Sequence, residues 1–184
     1  MMKIFRNLLV LTIAFLAFSL TDVNAQGSSD TKSARTLEQK VFKKILYLSN
    51  YGVFDSIKFK VDGSTVTLYG KVYNGINKSS AENVVEDIDG VTEVVNNIEL
   101  LPPSSFDNSI RRQLLRNFEN TAGMSRYLLE PNPSVRLIVE NGRVTLEGFV
   151  SNKSDSNLIN ILANQATGVF SVQNNLLVDK EQVR

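Results

Sequence analysis

The strongest constraint on this chain is an internal repeat with a constant spacing. Residues 66–72 (VTLYGKV) return at 144–150 (VTLEGFV), and residues 90–98 (GVTEVVNNI) return at 168–176 (GVFSVQNNL). Both pairs are offset by 78 residues, and a chance match would not keep one register across two separated motifs. The chain therefore contains two copies of one small domain.

The N-terminus has the pattern of a secretory signal. Lys3 and Arg6 precede an apolar run over residues 8–17, and residues 23–25 (VNA) offer a compact cleavage site. We predict a cleaved signal peptide over residues 1–25 and export to the periplasm. The alternative is an uncleaved membrane anchor, but the run is shorter than the roughly 20 residues that span a bilayer.

The composition excludes several classes of chemistry. The 184 residues include neither cysteine nor histidine, which excludes cysteine lipidation, disulfides, thiol nucleophiles and imidazole bases. No phosphate loop or dinucleotide fingerprint is present, so we predict a non-enzymatic protein without cofactor or metal. Removing the signal takes away Lys3, Arg6 and Asp22 and brings the formal net charge from +1 to zero. A neutral exported chain is not expected to bind nucleic acid.

The rest of the chain divides at two segments of distinct composition. Residues 26–36 are small and polar and predict a flexible leader. Residues 102–105 (PPSS) predict a short linker. The first domain is therefore expected over residues 37–101 and the second over 106–179, followed by a charged tail over 180–184.

Hydrophobic periodicity predicts the same element order in both copies. An apolar helical stripe is followed by two alternating segments, a second helical stripe and a last strand. Residues 79–82 (SSAE) have the pattern of a capping box that would open the second helix of the first copy. The prediction is an α+β fold with two tandem α-β-β-α-β domains, each with two helices packed on a three-stranded mixed sheet.

These motifs resemble the BON domain family. The resemblance rests on the apolar-Thr-Leu-x-Gly-x-Val hairpin, the helix after it and the Gly-Val-x-x-Val-x-Asn-Asn-apolar strand, and it covers residues 37–101 and 106–179. It implies a non-enzymatic envelope protein. Members of the family are associated with phospholipid binding, membrane integrity and stress tolerance, and some with chaperone-like activity.

Four glycines of these motifs are predicted to be structural. Gly70 and Gly148 lie within strand patterns, where a bulge or the close approach of a helix backbone needs a missing side chain. Gly90 and Gly168 are expected to end helices. These residues would define the fold and supply no chemistry.

Two asparagines interrupt the apolar side of the last strands. Asn96 and Asn174 alternate with apolar residues and would therefore point toward the apolar face. Because a buried amide must find partners, each is predicted to tie its sheet to a neighbouring backbone segment. The alternative is a ligand contact.

A lipid-binding site is predicted in the second copy, where the two copies differ most. Five additional residues separate its first helix from its first strand, and the helix and the longer loop carry Arg111, Arg112, Arg116, Met124, Arg126, Tyr127, Leu128 and Leu129. Apolar side chains beside cations would insert into a headgroup layer and contact anionic phospholipid. The alternative is that the loop packs on its own domain and the arginines are solvated.

A second function remains open from the sequence. Exposed strands and a groove between the copies would suit a protein-interaction or chaperone-like module with other envelope proteins as partners.

Overall fold

The computed structural model describes residues 26–129 and 131–179, and this part of the chain folds as two α-β-β-α-β domains. The first domain contains α1 (Gln26–Leu46), β1 (Ser56–Asp62), β2 (Thr65–Val72), α2 (Ile76–Glu86) and β3 (Glu93–Leu100). The second contains α3 (Ser105–Glu119), a 3-10 helix (Ser125–Leu128), β4 (Val135–Glu140), β5 (Arg143–Val150), α4 (Lys153–Asn164) and β6 (Ser171–Val178). The predicted fold class is confirmed. The predicted signal peptide and tail lie outside the described residues.

Both domains have the same mixed sheet. β1 pairs antiparallel with β2, and β2 pairs parallel with β3; β4, β5 and β6 repeat this order. The equivalent glycines have equivalent partners, because Gly70 lies opposite Ile98 and Gly148 lies opposite Leu176. A parallel return after a hairpin needs a crossover, which α2 and α4 supply.

The helices bury their apolar stripes against one face of each sheet. In the first domain Val41 of α1, Val85 of α2 and Leu68 of β2 are completely buried together. The second domain has its own core, whose completely buried members include Leu114, Phe118, Val135, Leu137, Leu146 and Ile159. Each copy therefore has the separate hydrophobic core that its periodicity predicts.

The starts of the first two helices differ from the sequence predictions. α1 begins at Gln26, so the segment predicted as a flexible leader is helical. α2 begins at Ile76, ahead of the predicted capping box, and the Ser79 hydroxyl donates to the Ile76 carbonyl instead of capping a helix end. A tertiary contact explains the early start: Asn77, in the first turn, is buried and donates to the Asp55 carboxylate at 3.0 Å.

The proline-containing linker leads directly into α3. Ser104 caps this helix by accepting a hydrogen bond from the Asp107 N–H at 3.1 Å. Asp107 is itself buried, and its carboxylate accepts from the N–H groups of Asn141 and Gly142 in the β4–β5 turn. The start of α3 is therefore fixed both by its cap and by the hairpin below it.

The two domains are joined by a segment of the first domain that completes the second. Val53 precedes β1, yet its side chain is buried in the core of the second domain. Its carbonyl accepts from the Leu137 N–H of β4 at 2.7 Å, and the Gly52 carbonyl accepts from Arg136 Nη1 at 2.6 Å. The edge of β4 is thus covered by the first domain, and Ile138 on its outer face is buried as well.

Ion pairs extend this contact between the two sheets. Glu147 of β5 accepts from Lys58 of β1 at 2.7 Å, and Glu140 of β4 accepts from Lys71 of β2 at 2.5 Å. The hydrogen bond with Glu140 raises the pKa of Lys71. Partly exposed pairs of this kind contribute little stability by themselves, so they set the register of the interface more than its strength.

Candidate functional site

The structure separates the predicted lipid-binding residues, and Arg111 is the clearest case. It is 3% exposed, and its guanidinium donates to Asn108 Oδ1 at 2.7 Å and to the Val139 carbonyl at 2.5 Å. The same group lies 4.5 Å from the ring centroid of Tyr73 in the first domain. Burial lowers the pKa of Arg111. Arg111 therefore joins α3 to the first domain and is not accessible to a lipid headgroup.

The apolar part of the longer loop is also turned inward. Met124 and Tyr127 are buried in the core of the second domain, and Leu128 packs against that core. The Tyr127 hydroxyl donates to the Asp155 carboxylate and accepts from the Ser151 N–H. Insertion of these side chains into a membrane would require the core to open, so the alternative of a loop packed on its own domain describes them better.

Two residues of the loop remain at the surface. Leu129 is 63% exposed, and Arg126 is half exposed. Arg126 Nη2 lies 2.5 Å from Asp155 Oδ2, and its hydrogen bond with Tyr127 raises the pKa of Arg126. Because its charge is balanced by Asp155, Arg126 is expected to bind an anion more weakly than an unpaired arginine would.

Arg112 and Arg116 are the two predicted arginines that form an exposed basic surface. Both project from α3, and Arg112 Nη2 donates to the Ser109 hydroxyl at 3.0 Å. Among the described residues, no carboxylate lies within ion-pair distance of either side chain. Their spacing of four residues places them on the same side of the helix, one turn apart.

An exposed pair of aromatic rings, one at the start of α3 and one in the loop before β6, was missed by sequence reasoning. Phe106 in the first turn of α3 stacks on Phe170, with 5.7 Å between ring centroids and 28° between ring planes. Phe106 is 46% exposed and Phe170 is 75% exposed. Two glycines make room for the rings, because a Cβ at Gly142 would lie 2.5 Å from the Phe170 ring and one at Gly168 would lie 3.1 Å from the Phe106 ring.

A comparison of the two copies in the sequence could have pointed to this aromatic pair. At the repeat spacing Phe170 corresponds to Thr92, so the aromatic pair is specific to the second domain. Phe106 precedes Arg112 by six residues and Arg116 by ten, which places the ring about 120° and about 80° around the helix from the two cations. The second domain therefore presents exposed apolar rings at the start of α3 and unpaired arginines further along the same helix.

The first domain has a surface on which three lysines lie beside acidic residues. Lys40, Lys43 and Lys44 of α1 are exposed beside Tyr47, and they border a depression of about 450 Å³. Asp87 and Asp89 also line this depression, and the Asp89 carbonyl accepts from Lys40 Nζ at 3.4 Å. These two acidic residues make this surface less attractive to an anion than the α3 surface.

A larger cavity of about 600 Å³ opens between the domains. Phe54, Tyr73, Leu100 and Pro103 supply apolar walls, and Asn108 of α3 closes one side. Phe54 and Tyr73 are held edge to face at 6.1 Å. The first domain and the linker thus build most of the cavity, and the second domain contributes Asn108.

One buried acid organises the backbone around this cavity. The Asp55 carboxylate accepts from the N–H groups of Gly52 and Tyr73 and from Asn77 Nδ2. Desolvation by burial outweighs these donors and raises the pKa of Asp55. Its donors belong to the protein itself, which is the arrangement of a structural carboxylate.

At Gly70 and Gly148 the backbone that approaches closely belongs to the neighbouring strand segment. The sequence predicts either a bulge or the close approach of a helix backbone. Gly70 has φ +120° and Gly148 has φ +109°, and a Cβ at either position would overlap the carbonyl oxygen of Ser56 or Ser134. No side chain other than hydrogen fits there. Gly90 and Gly168 also have positive φ and lie in the loops after α2 and α4.

The motif asparagines bond to the helices. Asn96 Nδ2 donates to the Lys78 carbonyl of α2 at 2.9 Å, and Asn174 Nδ2 donates to the Ser156 carbonyl of α4 at 3.3 Å. Each side chain thus links the last strand of its domain to the crossover helix. Their amide groups are engaged within the protein.

The described residues offer neither a metal site nor a membrane-spanning helix. No group of acidic residues there is arranged to hold a metal ion. In the same segments, no helix is both long and apolar enough to cross a membrane.

Comparison with known proteins agrees with this fold. The model of the BON domain matches residues 33–102 and residues 107–180. The chain therefore belongs to the BON domain family and contains two copies of the domain. None of the curated proteins matches the chain.

Two solved structures of CdsD, a structural protein of the type III secretion system of Chlamydia trachomatis, are distantly similar. One, of its C-terminal domain, is 13% identical with a TM-score of 0.28 and covers 78% of this chain and 97% of that chain. The other is 17% identical with a TM-score of 0.29 and covers 79% of this chain and 94% of that chain.

Proposed function

We propose that this protein is a non-enzymatic periplasmic protein that binds the surface of anionic phospholipid membranes and supports envelope integrity. The observation that carries the proposal is the stacked, exposed pair Phe106 and Phe170 together with the unpaired Arg112 and Arg116, which lie on the same helix as Phe106. Phospholipid binding is also what the resemblance to the BON family implies. Osmotic or other envelope stress is the setting in which such binding would serve the cell.

The chemistry of this surface suits an interfacial contact. Exposed phenylalanine rings gain free energy by entering the boundary between headgroups and acyl chains, and exposed arginines of the same helix pair with lipid phosphate. Each basic residue near an anionic surface contributes about 1 kcal/mol at moderate ionic strength. Two arginines therefore contribute about 2 kcal/mol, or roughly 30-fold in affinity.

The proposed site is a revision of the one expected from the sequence. Arg112 and Arg116 stay in it, and Phe106 and Phe170 replace the loop as its apolar part. Arg111, Met124, Tyr127 and Leu128 are assigned to the interior, and Arg126 and Leu129 lie outside the proposed contact.

Vesicle flotation of the chain from residue 26 onward tests the proposal. Binding to vesicles of phosphatidylglycerol and phosphatidylcholine is expected at low salt, with little binding to phosphatidylcholine alone. Arg112→Gln with Arg116→Gln should weaken binding roughly 30-fold. Phe106→Ser with Phe170→Ser should weaken it at all salt concentrations, because the apolar contribution is not screened.

Matched surface variants serve as controls. Phe149 is 56% exposed on β5, and Arg35 is exposed on α1 of the first domain. Phe149→Ser and Arg35→Gln should leave binding unchanged. Failure of the unaltered protein to bind either vesicle at low salt would contradict membrane binding altogether.

The interdomain cavity favours a second candidate, a protein-interaction or chaperone-like module. Its apolar walls include Leu100, which is 56% exposed. Suppression of the aggregation of an unfolding envelope protein, lost in Leu100→Ser and retained in Phe106→Ser with Phe170→Ser, would support this function. Equal suppression by all three proteins would argue against the cavity.

A further inference from the structure

The outer strands β3 and β6 have a row of backbone groups that face away from their sheets. The Leu101 N–H donates inward to the Val72 carbonyl at 2.9 Å, and the Asp179 N–H donates inward to the Val150 carbonyl at 2.8 Å. N–H groups alternate in direction along a strand, so those of Ile98 and Leu176, an odd number of residues earlier, point outward. Such unpaired edge groups are templates for pairing with another chain.

In both domains the outward N–H is occupied by a side chain of the same strand. Asn96 Oδ1 accepts from the Ile98 N–H at 3.2 Å, and Asn174 Oδ1 accepts from the Leu176 N–H at 3.1 Å. The two bonds are equivalent in the repeat, because each joins an asparagine to the residue two positions later. The bond is therefore a property of the domain.

The crossover helix fixes the orientation of each amide. Asn96 Nδ2 donates to the Lys78 carbonyl and to Glu82 Oε2, and Asn174 Nδ2 donates to the carbonyl and hydroxyl oxygens of Ser156 at 3.3 Å. Rotating either amide by half a turn would place its oxygen against acceptors and its nitrogen against the strand N–H. Only the observed orientation satisfies both sides.

We propose that Asn96 and Asn174 close the free edges of the two sheets and keep copies of this protein from pairing edge to edge. An incoming strand needs the outward N–H groups as donors, and the asparagine takes one in the middle of each edge. To free that donor, the side chain must also leave its helix. Pairing with another strand would therefore first break the hydrogen bonds that the asparagine side chain makes to the strand and to the helix.

The second domain depends more than the first on the asparagine that occupies its outward N–H group. β3 carries Glu93 and Glu99 near its two ends, and charge of this kind opposes edge pairing. β6 has no charged residue and no proline over Ser171–Val178, so the usual protections of an edge strand are missing there. Asn174 is therefore the position to test.

The test measures assembly and amide exchange in single variants of the chain from residue 26 onward. Asn174→Ala should assemble as its concentration rises in sedimentation velocity. Under conditions where it is monomeric, exchange of the Leu176 amide should accelerate about tenfold, the effect of losing one hydrogen bond, relative to the core amide of Leu146. Asn175→Ala is the matched control, because Asn175 is the next residue of the same strand and is exposed like Asn174.

Asn174→Asp separates the edge effect from a general loss of stability. Aspartate keeps an oxygen for the Leu176 N–H and loses both donations to Ser156, so its Leu176 amide should stay slow although its helix contact is gone. Because its charge alone opposes edge pairing, slow exchange of the Leu176 amide is the supporting result. The proposal is overturned if Asn174→Asp assembles like Asn174→Ala, or if Asn174→Ala stays monomeric with unchanged exchange. It is also overturned if Asn175→Ala assembles equally.

Discussion

Truncation of Val53 is the sharpest test of how the two domains depend on each other. This residue belongs to the first domain by sequence and to the core of the second by contact. Val53→Ala removes two methyl groups from a site that is 7% exposed. Each methyl contributes about 0.8 kcal/mol by transfer, and the cavity left behind brings the expected loss to about 2 kcal/mol.

Native-state hydrogen exchange shows in which domain this loss falls. A loss of about 2 kcal/mol corresponds to roughly 30-fold faster exchange of the amides that open with the second core. The Leu137 amide is the most direct reporter, because it donates to the Val53 carbonyl. Amides of the second domain should therefore accelerate in a variant whose altered residue lies in the first.

Val85→Ala is the control of identical chemistry. Val85 is completely buried in the core of the first domain, so its truncation should accelerate exchange in the first domain more than in the second. If Val53→Ala accelerates only first-domain amides, Val53 does not complete the second core and the reasoning fails.

Three further predictions concern single residues. Gly148→Ala should destabilise the protein by at least about 3 kcal/mol in urea unfolding, because φ is +109° and the new methyl would overlap the Ser134 carbonyl; a cost below about 1 kcal/mol would contradict this. Arg111→Gln should lower stability by about 2 kcal/mol and leave vesicle binding unchanged, since its guanidinium bonds and stacks inside the protein; weaker vesicle binding at unchanged stability would restore it to the lipid site. Asp55 should titrate above its ordinary pKa of 3.8 by carboxyl NMR. Because the folded state then holds the proton more tightly, the Asp55 contribution to stability should fall as pH rises from 3.8 through the raised pKa, and a midpoint below 3.8 would reverse that sign.

The fold follows from local patterns in the sequence. Alternation at Val66 and Leu68, helical spacing at Val41 and Ile45, and the repeat itself determine element type and order before any tertiary contact is considered. The start of α2 did not follow in this way, because a capping box competes with the contact between Asn77 and Asp55, which brings together residues far apart in the sequence.

The lipid site shows why surface function is harder to predict than fold. An apolar residue beside an arginine has the same pattern whether it inserts into a membrane or fills a core, and Tyr127 fills a core. Arg111 and Arg112 are adjacent in sequence, yet one is buried between domains and the other is exposed. Phe106 and Phe170 are far apart in sequence and meet only in the folded chain.

The placement of Val53 also makes the two cores unequal in what they need. A segment of the first domain fills part of the core of the second, so the second core is complete only when the first domain is attached. The corresponding loop of the second domain is longer and turns Met124 and Tyr127 into its own core. The buried residues of the first core all belong to the first domain, so among the described residues the dependence of one core on the other runs in one direction.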